Sequence, residues 1–212
     1  MNPFDYFEHI YCINLDKRPD RWNESLKEFK KVGIEDKVIR FSGIEKPDGR
    51  VGVIKSNLEI VKLAKNNNWN NVLVFEDDIK FLNNSLENLS KGISQINNFD
   101  WELFYLGANT HVSLNKFSDN LVIAKQCYAV HSMAYSNQIY DKFINYGEKI
   151  SDNIIHTSLI LDIWLSSVIQ TNNKSLLLNP IITTQRESFS DIEKTVVNYK
   201  FIEERAKTNL PK

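Results

Sequence analysis

NNVLVFEDDIKF, Asn70 to Phe81, holds the conflict from which the fold can be read. Val72 to Phe75 is short, apolar, β-branched and aromatic, as suits a strand covered on both faces. Three carboxylates, Glu76, Asp77 and Asp78, follow without a break. Two unit charges of like sign 4 Å apart repel by about 1 kcal/mol in water and about 4 kcal/mol at an effective dielectric of 20. Solvent, a helix N-terminus, a basic partner or a metal ion must therefore sit beside the run. A strand buried on both faces belongs to a sheet with crossover helices, and ligands bind at the carboxyl ends of such strands.

Reading outward from this strand gives the same class. His9 to Leu15 reads as a first strand, followed by DKRPDRWNESLKEFKKVG, in which Pro19 suits a first helical turn and Gly33 an end. Trp22, Leu26, Phe29 and Val32 share one face of that helix. Lys37 to Phe41 is a second strand, SGIEKPDGRVG a loop, and Val53 to Lys65 an amphipathic helix aligned on Ile54, Leu58 and Val61. Strand–helix repetition of this kind predicts an α/β protein with a parallel sheet. Downstream, NNSLENLSKGISQI predicts a helix opening at Asn84 or Ser85, and WELFYLG a strand ending at Gly107. LVIAKQ and CYAVHSMAYS follow as strands with no helix between them, so the sheet is expected to turn mixed. Asn137 to Tyr146 and Thr157 to Gln170 read as helices, SLLLNPIITTQ as an extended segment bent at Pro180, and Ile192 to Ala206 as a last helix. No linker divides the chain, which predicts a single domain over 1–212.

Composition narrows the function classes. Of 212 residues 42% are hydrophobic and 25% charged, with a net charge of −1 and no long basic block, which argues against a nucleic-acid partner. The N-terminus lacks a basic leader with an apolar core, and no later stretch approaches a membrane span, so a cytoplasmic protein is expected. Cys12 and Cys127 lie in apolar runs and read as buried, unpaired thiols.

For the acidic run itself, a helix dipole is disfavoured, because it acts within the first turn and the next predicted helix opens about six residues beyond Asp78. In extended backbone Glu76 and Asp78 point to one side and Asp77 to the other. Two hard oxygen ligands so spaced suit Mg²⁺ or Mn²⁺. An ion held there would also receive a diphosphate that bare carboxylates repel. A haloacid-dehalogenase-type phosphatase needs aspartate where Glu76 stands, no glycine-rich phosphate loop occurs, and no nucleophile elbow supports a hydrolase. Four histidines and two distant cysteines make a closed zinc site a poor match.

YCINLDKRPDRW, VLVFEDDI, FYLG and PIITTQRESFSDI, in this order, resemble glycosyltransferase family 25, which includes lipooligosaccharide and collagen galactosyltransferases. The resemblance implies a GT-A-like, Rossmann-type mixed sheet flanked by helices. It also implies a UDP-sugar donor, Mn²⁺ or Mg²⁺, and inverting transfer of a hexose, galactose or glucose, to a hydroxyl on a glycan or protein. Carried over by position, Asn14, Leu15, Asp16, Arg18 and Arg21 border the nucleotide, together with Ser56, Asp77 and Gln185. Glu76 and Asp78 hold the metal, with Asp191 as the third ligand. The family pattern G-C-x-x-S-H on the preceding helix is only half kept: Gly52 and Ser56 are present, whereas Val53 and Asn57 replace Cys and His. Asp162, a lone acid amid Leu159, Leu161, Ile163 and Leu165, is the candidate base for the acceptor hydroxyl. Ser188 and Ser190 lie in the loop with Gln185 and Asp191, where Ser190 reads alternatively as the cap of the last helix. His131 reads equally as a site residue or a core histidine. The rival readings are an inactive sugar-nucleotide or glycan-binding module and a metal-dependent phosphodiesterase or nuclease.

Overall fold

The computed structural model describes residues 2–96, 98–152, 156–192 and 194–211. In chain order the strands are β1 (His9–Asn14), β2 (Val38–Ser42), β3 (Asn71–Glu76), β4 (Ile79–Phe81), β5 (Leu103–Tyr105), β6 (Asn109–Thr110) and β7 (Leu121–Ile123). They continue with β8 (Cys127–Tyr128), β9 (Ser132–Ser136), β10 (Ser175–Leu178), β11 (Thr183–Gln185), β12 (Ser188–Ser190) and β13 (Thr195–Val197). The helices are α1 (Pro19–Lys31), α2 (Gly49–Asn66), α3 (Ser85–Ile96), α4 (Tyr140–Glu148), α5 (Leu161–Trp164) and α6 (Lys200–Asn209).

Seven strands form one sheet in the order β2-β1-β3-β9-β5-β10-β7. β1 lies parallel to both β2 and β3, β9 antiparallel to both β3 and β5, and β10 parallel to β5 but antiparallel to β7. The expected mixed α/β sheet flanked by helices is present, and it turns mixed at β9. The chain leaves β1 for β2 on one side and returns to β3 on the other, so a topological switch point lies between β1 and β3. Crevices at such points, beyond the strands' carboxyl ends, bind ligands in open α/β sheets. Asn14 and Glu76 end these two strands.

β3 shows why the sequence folds this way. Val72 and Val74 enter the apolar cluster that also contains Ile54, Leu58 and Val61 of α2. Leu73 and Phe75 enter the opposite cluster, with Phe29 of α1 and Leu89 of α3. Period-2 alternation between two covered faces needs apolar residues at every position, which VLVF supplies. Glu76 continues the phase of Val72 and Val74 and falls on the α2 side. α1 begins with Pro19 and ends before Gly33, whose φ of +66° favours glycine.

Four sequence expectations need correction. α2 begins at Gly49 rather than Val53, because the Asp48 side chain accepts from the Arg50 backbone N–H and caps a turn that Gly49 and Gly52 disguise as loop. The helix expected over Thr157 to Gln170 is broken into a 3₁₀ turn (Thr157–Leu159), α5 and a π-helical turn (Leu165–Ile169). SLLLNPIITTQ divides at Pro180 into β10 and β11, which belong to different sheets. The last helix opens at Lys200, since β12 and β13 pair as a hairpin over much of what was read as its start, and Ser190 lies in β12 rather than at a cap. Residue 193 of the expected helix lies outside the described residues.

Cys12 and Cys127 are buried and unpaired. Burial pushes both thiols up, Cys127 to about 12. Among the described residues no helix is long and apolar enough to cross a membrane.

Gly107, just past β5, lies against β11: a Cβ there would overlap the Thr183 carbonyl oxygen and stand 2.6 Å from its Oγ1. Backbone cannot yield as a side chain tip can. Gly107→Ala should therefore destabilise the fold by about 1–3 kcal/mol, measured by urea unfolding. An unchanged midpoint would contradict the packing of β5 against β11.

Candidate functional site

The opening conflict is resolved by an arginine. Asp77 and Asp78 follow β3 in a tight turn, and both reach the same guanidinium. Arg21 Nη2 lies 2.7 Å from Asp77 Oδ1 and 2.9 Å from Asp78 Oδ2. The expected alternation, with Asp77 pointing away from Asp78, therefore fails because the backbone turns after Glu76 instead of staying extended. Arg21 stands in the first turns of α1, and its side chain is 13% exposed. Burial acts against its charge, yet Asp78 and Asp77 hold its proton more firmly than usual.

Further donors fix the turn. Asn14 Nδ2 donates to Asp77 Oδ2 at 2.6 Å and to the Arg18 carbonyl at 2.9 Å, while its Oδ1 accepts from Arg40 Nε. Gln185 Nε2 lies 3.3 and 3.2 Å from the two Asp78 oxygens. Arg186 donates through Nη1 to the Ile79 carbonyl and through Nη2 to the Asp77 carbonyl, and its backbone N–H donates to Asp78 O. Ser25 Oγ donates to the same Asp77 carbonyl at 2.7 Å. Burial raises Asp77 above the usual carboxylate range, while Arg21 and Asn14 pull it back.

Glu76 and Asp162 form the other half of the site, on the α2 and α5 side. Asp162 Oδ2 accepts from the Ala129 N–H at 3.1 Å, and its Oδ1 is buried without a partner. Burial pushes this carboxyl up to about 6, with the Ala129 N–H holding it down. Glu76 is half-buried. Its pKa is driven well above the ordinary value by burial and by the charges of Asp78 and Asp162. His131, whose carbonyl accepts from the Glu76 N–H, is fully buried. Burial lowers its ring to about 4, against the pull of Asp78 and the Thr183 carbonyl, so the imidazole is neutral at pH 7.

The structure thus unites Asn14, Arg21, Asp77, Asp78 and Gln185, residues far apart in sequence. Arg18 joins at the rim, donating to Asp191 at 2.6 Å and to both Asp20 oxygens. Three placements differ from expectation. Asp191 is engaged by Arg18 and does not complete a ligand set with Glu76 and Asp78; among the described residues no group of three or more His, Cys, Asp or Glu has the geometry to hold a metal ion. Ser56 is buried, accepting from the Ile44 N–H and donating to the Gly52 carbonyl, which removes it from any nucleotide. Asp16 is exposed and pairs with Arg40 and Ser42 above β2, while Leu15 packs near Gly43. Sequence reasoning missed Ser25, Arg40 and Arg186. Ser25 lies one helical turn beyond Arg21, and Arg186 adjoins Gln185, so spacing from the chosen residues was the available signal.

No protein-family model and no curated protein matches the chain. Among solved structures it is similar to a glycosyltransferase involved in the glycosylation of the major capsid of PBCV-1, at 8% identity and a TM-score of 0.41, over 66% of this chain and 65% of that one. It is also similar to A197 from STIV, at 8% identity and a TM-score of 0.47, over 89% and 93%. A third likeness is to UDP-glucose pyrophosphorylase complexed with UDP-glucose, at 7% identity and a TM-score of 0.42, over 94% and 80%. Likenesses of this strength assign no activity to the chain.

Removing one member of a buried ion pair leaves the other charge uncompensated. Arg21→Met should cost about 3–5 kcal/mol at pH 7. Without the cation, the folded-state pKa of Asp77, already raised by burial, climbs further above its unfolded value, near 3.9. The loss should therefore grow as pH rises from about 4 and shrink below it. Chemical unfolding of parent and variant at pH 4 and pH 7 checks this; a pH-independent difference would refute the ion-pair assignment.

Proposed function

We propose that the chain transfers a hexose from a UDP-sugar to a hydroxyl of a glycan or protein acceptor. One observation carries this reading. The residues of the YCINLDKRPDRW, EDD and TQRESFSD segments that resemble glycosyltransferase family 25 close into one hydrogen-bonded unit at the β1/β3 switch point, beside a buried acid with an unpartnered oxygen. Support also comes from where Asp162 stands: near enough for its charge to act on Glu76, on the face of the sheet opposite α1.

In this reading the acceptor oxygen attacks the anomeric carbon as the bond from that carbon to the UDP oxygen breaks, and the configuration inverts. The acceptor proton passes to Asp162 Oδ1. A carboxylate with a pKa near 6 is mostly ionised at neutral pH yet basic enough to accept a proton in the transition state. Asn14, Arg21 and Gln185 act as positioning residues, because Asn14 Nδ2, Arg21 Nη2 and Gln185 Nε2 hold the acidic turn. Arg18 remains at the rim to meet the diphosphate in a bidentate manner after exchange of its Asp191 contact. Leu15 borders the nucleotide, while Asp16 stays with Arg40 and Ser42. No step is routed through a metal ion, since Glu76, Asp78 and Asp191 do not converge.

Asp162→Asn keeps the shape and the Ala129 contact but cannot take a proton. Sugar transfer, followed as UDP release with acceptor present, should fall by about 10²–10⁴ while UDP affinity stays near parental. In the parent, transfer should rise with pH through about 6 as Asp162 ionises. Because the folded pKa lies above the unfolded value, ionised Asp162 costs stability as pH rises. The variant should melt higher than the parent at pH 8, by the equivalent of about 1–3 kcal/mol, and no higher at pH 4. Transfer at the parental rate would place the base elsewhere. UDP binding with no transfer by the parent would instead support the binding-module reading.

A further inference from the structure

We infer that Arg21, rather than a divalent metal ion, is the cation this chain sets against its acidic run, and that a nucleoside diphosphate binds without added metal. The first half rests on geometry alone; the second rests also on the nucleotide-sugar reading.

All four carboxylate oxygens of Asp77 and Asp78 already receive protein N–H groups, from Arg21, Asn14 and Gln185. An ion bound to Asp78 would share Oδ2 with a guanidinium nitrogen 2.9 Å away. A divalent charge on the same carboxylate as a guanidinium meets direct Coulomb repulsion, weakly screened where the pair is buried. Asp191, the expected third ligand, is turned to Arg18. Nor is Arg21 placed to withdraw. It is largely buried, its Nη1 faces the Phe189 carbonyl at 3.5 Å, and Ser25 on the same helix ties α1 to the Asp77 carbonyl.

Positive charge for a diphosphate is available from the same elements. Arg18, Arg21, Lys27 and Arg186 line an open cavity of about 730 Å³ between α1 and the start of the β12–β13 hairpin. Arg18 and Lys27 pair with Asp20 and Glu24 of the same lining and Arg21 with the acidic turn, so of these four Arg186 is the one set against neutral carbonyls. Arg186 directs Nη1 and Nη2 to neutral carbonyls, so its charge adds to the field of the cavity. The Nε of Arg21 is buried without a partner, a donor left over after both carboxylates are satisfied.

Mn²⁺ electron paramagnetic resonance tests the first half with no nucleotide present. The parent should leave the free-ion spectrum unchanged at micromolar metal, whereas Arg21→Gln, which uncovers Asp77 and Asp78, should take up Mn²⁺. Uptake by the parent that disappears in Asp78→Asn would overturn the inference, and this comparison decides the matter even if Arg21→Gln fails to fold. Calorimetry with UDP, in chelator and in Mn²⁺, tests the second half. Affinities equal within about threefold support it, and a gain of about tenfold or more with Mn²⁺ overturns it. Absence of UDP binding in both conditions would sink the nucleotide-sugar reading and the second half with it, while the Mn²⁺ result still decides the role of Arg21.

Discussion

The double ion pair of Arg21 with Asp77 and Asp78 is the constraint around which this end of the molecule is arranged. Three carboxylates at the end of a buried strand do not fold unaided, since ionised groups leave water at a cost of several kcal/mol each. One guanidinium satisfies two of them only if α1 starts close to the end of β3. That position is set by β1: Asn14 ends the strand and turns its amide onto both the Arg18 carbonyl and Asp77. Pro19 then opens the helix with a fixed φ, and Arg21 and Ser25 fall one turn apart on the face toward the acidic turn. Sheet pairing brings β1 and β3 together. The ion pair makes that neighbourhood tolerable.

Consequences for chemistry follow from which face each acid takes. Asp77 and Asp78 are neutralised from the α1 side. Glu76, one residue earlier and in phase with Val72 and Val74, goes to the other side, where Asp162 arrives from α5. Arg21 draws Glu76 downward, but burial and the neighbouring acids outweigh it, and both carboxyls are driven upward. An element packed for stability would bury apolar atoms there instead. Destabilised acids at the rim of a crevice are a signature of sites tuned for proton transfer. The irregular backbone of the α5 region agrees with this placement: a π-helical turn directly after Trp164 re-aims a helix that sequence periodicity presents as continuous.

How much of this was legible in the sequence can be argued residue by residue. VLVF announced a doubly covered strand because every position of β3 meets apolar atoms, and no other short pattern does so. CYAVHSMAYS announced the mixed sheet because no crossover helix fits between LVIAKQ and it. Asp162 stood out because an acid among four aliphatics has no local explanation, and the structure gives it one hydrogen bond and one orphaned oxygen. Asp48 as a helix cap was hidden by two glycines, and the β12–β13 hairpin by residues with helical periodicity. The role of Arg21 was hidden for another reason. Sequence spacing assigns side-chain directions only while the backbone stays regular, and the chain turns at Asp77.

Ser56 shows that a matched motif and a matched role are separate facts. Gly52 and Ser56 are the two positions of the family-25 helix pattern that this chain keeps, and both serve packing of one loop. A Cβ on Gly52 would stand 2.5 Å from the Ile44 carbonyl oxygen, and Ser56 receives the Ile44 N–H. The loop after β2 is thereby pinned to α2 through backbone atoms, which is independent of what binds at the β1/β3 crevice. Asn57, at the position where the family has histidine, accepts from the Tyr135 hydroxyl inside the core and donates back to the Val53 carbonyl. A buried amide paired at both ends is inert toward ligands. The helix therefore carries two residues that hold a loop and an asparagine that serves a core contact. In the proposed reading the chemistry falls to Asp162, with Glu76 and the arginines at the carboxyl ends of β1 and β3 around it, and a test of acceptor specificity belongs to the α5 side of the crevice rather than to α2.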